Sequence, residues 1–142
     1  MAGEISLQEV GLAVKRLQWR HHRVANSRLA AIGLSLAQWD VLRHLEANPD
    51  ASLHQLAVST FQTDQSMGAL AARMIGRGLL ERIDGPGRAV RHRLTPTGED
   101  LRKQGADLID GVLGESLGHL SDAELSILHT LLVKATPGDD ER

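Results

Sequence analysis

Apolar residues recur every three or four positions along most of this chain, which is the spacing of one face of an α-helix. Six such stretches follow a Ser or Thr that can cap a helix, and four of these caps have a Glu or Gln three residues later. The four pairs are Ser6/Glu9, Ser35/Gln38, Ser52/Gln55 and Ser121/Glu124. The pattern predicts helices at about 7–30, 36–47, 53–60, 64–76, 96–118 and 122–135.

Between the fourth and fifth helices the apolar spacing changes from helical to alternating. Gly78 ends the helix, residues 79–83 and 89–94 alternate like strands, and Asp84-Gly85-Pro86-Gly87 supplies the turn between them. Thr95 then caps the next helix. A helix, a hairpin and a helix in this order are typical of a winged helix-turn-helix. We therefore predict a mainly α fold with a small β-hairpin wing and with further helices at the N- and C-terminal ends.

The predicted helix 64–76 has one apolar face and one face of short or polar side chains. The apolar stripe consists of Met67, Leu70, Ala71, Met74 and Ile75. The opposite face would let the helix lie close to base edges, and Gln65 near its start can reach adenine in the major groove. This helix is the predicted recognition helix.

Arginines are concentrated around the predicted hairpin. Residues 73–98 contain six arginines and two acids, whereas residues 99–142 hold ten acids against four bases and the whole chain has a net charge of −2. A single arginine is most often solvated, but a cluster at a turn directly after such a helix favours DNA contact. Arg88 should lie at or beside the tip, while Arg91 and Arg93 should touch phosphates or pair with acids. The predicted DNA contacts are Thr63, Gln65, Ser66, Ala69, Arg73, Arg88 and Arg91.

The composition is that of an ordinary globular domain. With 142 residues, of which 42% are hydrophobic and 24% charged, the chain fits one domain with its own core. It has no cysteine, which excludes disulfides and cysteine-ligated zinc. No targeting segment or membrane-length apolar run is present, so we expect a cytoplasmic protein. Phosphate-binding and hydrolase motifs are absent too, so we predict that the protein is not an enzyme.

The first predicted helix carries a seam of residues at alternating three- and four-residue spacing, the pattern of helix–helix packing. The seam consists of Leu7, Val10, Val14, Leu17, His21, Val24 and Arg28. The last two helices have similar apolar faces. The three helices could all cover the core of a monomer, but helix-turn-helix proteins usually dimerise to read two half-sites. We therefore favour a homodimer joined by these helices.

Two tryptophans and their polar neighbours form a candidate ligand site. Trp19 and Trp39 lie on helices that we expect to meet beside the core, and packing within that core is the favoured role of Trp39. As walls of a ligand site they would be joined by His22, Arg23 and Arg43, whose polar ends can hold an anion or a phenol.

A metal site is the weaker interpretation of the histidines on these helices. His21, His22 and His44 are candidate ligands. Adjacent residues of a helix point about 100° apart, however, so His21 and His22 cannot both face one ion without distortion. We expect no metal and no cofactor.

Glycines are unusually frequent in the predicted fifth helix, at Gly105, Gly111, Gly114 and Gly118. In a helix interior each costs about 1 kcal/mol relative to alanine. The favoured explanation for at least one of them is a close helix crossing. The alternative is a hinge that lets the DNA-binding lobe move when a ligand binds near Trp19 and Trp39.

Over about residues 17–135 the sequence resembles the multiple-antibiotic-resistance regulator (MarR) family of bacterial transcription factors. The most specific segments are Leu36-Ala37-Gln38-Trp39-Asp40-Val41-Leu42, residues 66–80 ending in Arg77-Gly78-Leu79-Leu80, and residues 88–98. The resemblance implies a winged-helix dimer, joined through its first and last helices, that binds palindromic operators. It also implies that DNA is often released when a small phenolic or lipophilic ligand binds.

One position departs from the family pattern. The family usually has Asp-x-Arg in the wing, whereas Pro86 stands two residues before Arg88 in this chain. Asp84 is the nearest carboxylate that could brace the arginine instead.

The residues and the resemblance together predict one domain over 1–142. Its winged-helix lobe would span about 36–95, and its dimerisation region about 7–30 and 96–135. The predicted function is a DNA-binding transcriptional repressor that a small aromatic or lipophilic ligand releases. The alternative is a winged-helix module that binds a partner protein. The arginines of the wing favour DNA, and a steep fall of affinity with salt would separate the two functions.

Overall fold

The computed structural model of the chain describes residues 3–84 and 90–138, without the side chain of Asp84. Over these residues it contains six helices and one antiparallel hairpin. The helices are α1 (Leu7–Ala30), α2 (Leu36–Ala47), α3 (Leu53–Ser59), α4 (Asp64–Gly76), α5 (Pro96–Gly114) and α6 (Asp122–Ala135). The strands are β1 (Leu80–Asp84) and β2 (Val90–Leu94), and a short 3₁₀ turn, Leu117–His119, lies between α5 and α6. The predicted mainly α fold with a small hairpin is confirmed.

Helix starts were predictable because each depends on a local cap. All four serine capping boxes are formed, and Thr63 and Thr95 cap α4 and α5 through their hydroxyl oxygens. The predicted end of α5 at about residue 118 is wrong, since the helix ends at Gly114 and the 3₁₀ turn follows. Gly114 and Gly118 both lower the helix propensity of this end of the chain segment, which disfavours an extension of the helix to residue 118.

The core of the winged-helix part lies between α2, α3, α4, the end of α1 and the start of β1. Its fully buried side chains are Leu29, Val41, Leu42, Leu45, Leu56, Met67, Met74, Leu79 and Leu80. The apolar stripe predicted for α4 is buried, apart from Ile75 at its edge, which is exposed. The recognition helix is therefore fixed by its apolar face, which leaves the opposite face outward.

The hairpin contacts the helical part of the chain through β2 and through its base. Leu80 pairs with Leu94 at the base of the antiparallel register, and Ser52 forms an isolated bridge with Arg91. Gly98 of α5 lies against the Leu79 carbonyl so closely that a side chain there would overlap it. Helix α5 thus runs directly from the base of the hairpin to the N- and C-terminal helices.

The N-terminal half of α1 and the whole of α6 contain no buried residue in the described chain. The apolar residues that they expose include Leu7, Val10, Val14, Ile127, Leu131, Leu132 and Val133. No described helix is both long and apolar enough to cross a membrane.

Candidate nucleic-acid interface

The outward face of α4 collects most of the predicted DNA contacts. Gln65, Ser66, Ala69 and Arg73 are all exposed on it, opposite the buried stripe. The residues share one face because they recur at helical spacing, and Ala69 keeps the middle of that face flat. A helix with such a face can approach base edges closely.

The start of α4 is held by its cap. The Ser66 amide donates a hydrogen bond of 3.1 Å to the Thr63 hydroxyl oxygen. On the neighbouring helix α3, His54 Nδ1 lies 2.8 Å from the Asp64 carboxylate. The exposed hydroxyl and amide groups at this helix end are those that meet base edges or phosphates in a helix-turn-helix.

The two described arginines of β2 have different surroundings. Arg93 pairs with Glu81 of β1, with its Nε atom 3.2 Å from the carboxylate oxygen. Arg91 is half-buried, and its Nη1 atom donates a 3.4 Å hydrogen bond to the Val90 carbonyl. The prediction that these arginines touch phosphates or pair with acids is thus confirmed for Arg93. Arg88 and the turn before it lie outside the described residues, as does the side chain of Asp84.

His92 of β2 is a buried polar residue between the hairpin and α4, and sequence analysis did not single it out. It is 4% exposed, and its Nδ1 atom has no hydrogen-bond partner among the described residues. Burial lowers the pKa of His92, and the charge of Arg82 lowers it further. Its alternation with Arg91 and Arg93 along the strand is the signal that could have shown that it faces inward.

The tryptophans of the candidate ligand site have separate environments. Trp39 is buried, and its indole Nε1 donates a 3.1 Å hydrogen bond to the Arg102 carbonyl of α5. The Arg43 guanidinium lies over this ring, 5.5 Å from its centroid. Trp19 is 61% exposed and stacks on His22, with ring centroids 6.0 Å apart. Trp39 thus packs in the core, which was its favoured role.

A cavity of about 590 Å³ lies between α1, the end of α5, the 3₁₀ turn and α6. Among the predicted ligand residues His22 lines it, whereas Trp19, Arg23, Trp39 and Arg43 do not. Most of its wall is apolar, and the polar groups on it come from α1. The lining residues are Val10, Ala13, Val14, Leu17, Gln18, His21, His22, Leu36, Leu113, Leu117, Leu128 and Leu132.

The far side of this cavity is held by contacts between α1 and the end of α5. His21 Nε2 lies 2.5 Å from the Ser116 hydroxyl, and Arg28 forms an ion pair with Glu115 at 2.5 Å. Burial lowers the pKa of His21, with a smaller contribution from Arg20. Of the three candidate metal ligands, His21 contacts a hydroxyl, His22 stacks on Trp19, and His44 Nε2 lies 3.4 Å from Nη2 of Arg43.

Helix α4 packs against α3, and a two-stranded hairpin follows it directly. This arrangement defines a winged helix-turn-helix protein. A model of the MarR family matches residues 32–89, which cover α2, α3, α4 and β1. No curated protein matches the chain.

Several solved structures share this fold. Escherichia coli MarR in complex with operator DNA is 21% identical, with a TM-score of 0.81, and the match covers 90% of this chain and 94% of that one. BpsR of Bordetella bronchiseptica, whose DNA binding is regulated by 6-hydroxynicotinic acid, is 26% identical with a TM-score of 0.79. The match covers 89% of this chain and 97% of BpsR. A Mycobacterium tuberculosis MarR family protein in complex with salicylic acid is 22% identical with a TM-score of 0.73. The match covers 96% of this chain and 100% of that protein. The chain therefore has the MarR winged-helix fold, and the resemblance predicted from its sequence is confirmed.

Proposed function

We propose that this protein is a bacterial, cytoplasmic transcription regulator that binds DNA through α4 and the hairpin. The observation that carries the proposal is the exposed face of α4, where Gln65, Ser66 and Arg73 surround the small side chain of Ala69. Such a face fits the major groove, where polar side chains bind base edges and phosphates. The structure of Escherichia coli MarR with operator DNA supports this function for the shared fold.

The active form in this proposal is a homodimer. Leu7 is 92% exposed at the start of α1, and α6 exposes Ile127, Leu131 and Val133. Contiguous apolar faces of this kind mark interaction surfaces in proteins that are not embedded in lipid. A second copy is the occupant that we propose, because a two-fold axis would present two α4 helices to two half-sites of a palindromic operator.

We propose further that the protein is a repressor and that a small aromatic or lipophilic ligand releases it from DNA. The supporting observation is the cavity of about 590 Å³ beside α1, a volume within the usual range for small-molecule sites. Gln18, His21 and His22 supply hydrogen-bonding groups on its otherwise apolar wall. The complex of a related fold with salicylic acid supports this class of ligand.

Selection of DNA fragments from the source genome tests the DNA-binding function. We expect the purified protein to retain fragments that share an inverted repeat, with half-site centres about 34–36 Å apart along the helix axis. The affinity for this repeat should fall steeply with salt, because bound arginines displace counterions from phosphates. If the protein enriches no DNA sequence and captures a protein partner instead, the protein-interaction module is favoured.

Two measurements on the same protein test the dimer and the ligand. Sedimentation equilibrium should give twice the monomer mass, and Leu131→Glu should shift the protein toward the monomer. Salicylate, used as the probe, should weaken operator binding in the wild type. Leu17→Trp, which would occupy part of the cavity, should reduce this response. A monomer at micromolar concentration that still binds the full repeat would contradict the homodimer.

A further inference from the structure

The turn between α3 and α4 contains a bulky side chain in an unusual backbone conformation. Phe61 has φ +58°, the one non-glycine residue with positive φ in the described chain, and it is 84% exposed. Left-handed backbone angles are disfavoured for residues with a large side chain. An exposed phenylalanine also gains little from burial. The left-handed conformation at a bulky, exposed residue therefore calls for an explanation.

The chain itself shows which residue this kind of turn ordinarily takes. Three helices end in the same pair of backbone hydrogen bonds, which close the helix around one residue with positive φ. At the ends of α1 and α4 this residue is Gly33 or Gly78. At the end of α3 it is Phe61, whose amide donates to the Val58 carbonyl at 3.2 Å, while the Gln62 amide donates to the Ala57 carbonyl at 2.8 Å. Glycine would be the less strained residue here as well.

The position of this turn indicates what the ring contacts. Phe61 precedes Thr63, the N-cap of α4, by two residues, and the exposed Gln65 and Ser66 follow. In a helix-turn-helix the N-terminal end of the recognition helix enters the major groove and the first helix crosses the backbone. The ring thus lies at the end of α4 that would enter DNA. Backbone strain in proteins is retained mostly at functional sites.

We propose that Phe61 is a specificity-determining residue that contacts the 5-methyl group of a thymine in each operator half-site. The proposal rests on the DNA-binding function proposed above. Among the base edges of the major groove, the thymine methyl is the apolar group, and phenylalanine is one of the side chains that recognise it. Contact would bury part of an exposed ring, which offsets part of the strain of the turn in the complex.

Replacement of thymine by deoxyuridine removes this methyl group and leaves the base pairing unchanged. The operator recovered from the genomic selection is synthesised with one thymine per half-site replaced at a time. We expect the wild type to lose about fourfold in affinity per half-site at one position, the effect of one buried methyl group. Phe61→Gly should bind the thymine and deoxyuridine operators equally, whereas Phe61→Leu should keep most of the preference.

Thermal unfolding of the same variants supplies a readout that is independent of DNA. Phe61→Gly should raise the melting temperature by about 2–4 °C, because it relieves the left-handed strain. Gly78→Ala, at the equivalent position of α4, is the matched control and should lower it. A lower melting temperature for Phe61→Gly would overturn the proposal, since the ring would then stabilise the free protein.

The outcomes of the binding assay separate this inference from the function on which it rests. If the wild type selects an operator but Phe61→Gly keeps the same thymine preference, Phe61 is not the specificity residue and the DNA-binding function stands. Equal weakening by Phe61→Gly on all operators, without any change in thymine preference, would place the ring on the sugar-phosphate backbone and overturn the proposal. If the wild type selects no DNA at all, both proposals fail.

Discussion

Gly105 of α5 lies directly against the indole ring of Trp39 of α2. A Cβ atom at residue 105 would overlap the ring atoms Cδ1 and Nε1 and would also press on Leu29 of α1. The ring is held in this place by the hydrogen bond from its Nε1 to the Arg102 carbonyl, one turn earlier on the same helix. Gly105 and Trp39 therefore fix the crossing of α5 over the winged-helix core.

This crossing predicts opposite effects for alanine at two glycines of one helix. Gly105→Ala should destabilise the protein by about 1–3 kcal/mol, because an added methyl group in a packed core displaces its neighbours. Gly111→Ala is the matched control. Its Cβ would meet only the end of the Arg28 side chain at 3.6 Å, so it should stabilise by about 0.5–1 kcal/mol. Urea unfolding measures both, and equal effects of the two substitutions would contradict the crossing.

The hinge hypothesis concerns the other end of α5, beyond this crossing. Alanines at Gly111 and Gly114 together should stabilise the helix by about 1 kcal/mol, since neither site is crowded. If the helix bends there on ligand binding, the double variant should also resist the release of operator by salicylate. Greater stability with an unchanged response to salicylate would exclude the hinge.

The parts of the structure that were predictable from the sequence are those that depend on neighbours in the chain. A Ser with Glu or Gln three residues later favours a helix start when an apolar stretch with helical spacing follows, and the starts predicted on this basis were correct. The end of α4 was indicated by Gly78, and the end of α3 lies within one residue of the predicted position. The end of α5 had no such signal, because Gly114 and Gly118 both weaken the helix and neither caps it by sequence alone.

The parts that the sequence did not show depend on tertiary packing. Nothing local distinguishes Gly105, which meets Trp39, from Gly111, which meets only the end of a flexible side chain. The left-handed turn at Phe61 was also missed, because the usual signal for such a turn is a glycine. The core position favoured for Trp39 is confirmed, whereas the exposed position of Trp19 did not follow from the sequence.

Buried His92 predicts a loss of stability at mildly acidic pH. Its pKa in the folded protein is lowered from the ordinary value of 6.5. The unfolded chain therefore binds a proton more readily than the folded one. The contribution of this residue is fully present above pH 6.5 and is lost as the pH falls toward the lowered pKa of the folded state.

The free energy of unfolding of each variant is measured by chemical denaturation between about pH 5.5 and 7.5. This range lies above the usual titration range of carboxyl groups. The wild type should lose more stability across this range than His92→Gln does. His129→Gln, at an exposed position of α6, should behave like the wild type. His21 and His44 also have lowered pKa values, so some loss should remain in every variant. Identical slopes for His92→Gln and the wild type would contradict the prediction.

The face of α4 predicts that one added carboxylate is sufficient to prevent DNA binding. Ala69 is exposed in the middle of this face, between Gln65 and Arg73. Ala69→Glu would place a negative charge against phosphates and base edges, where like charges cost several kcal/mol, so the affinity for operator should fall by at least about a hundredfold.

The stability of Ala69→Glu should change by less than about 0.5 kcal/mol, because the side chain would remain in solvent on a helix. Ala47→Glu adds the same charge at an exposed position of α2, outside α4 and outside the proposed dimer helices, and should leave both quantities close to those of the wild type. Fluorescence anisotropy with labelled operator measures the affinity, and thermal unfolding confirms that both variants are folded. Normal binding by Ala69→Glu would mean that another surface contacts DNA, whereas equal losses in both variants would indicate a general effect of charge.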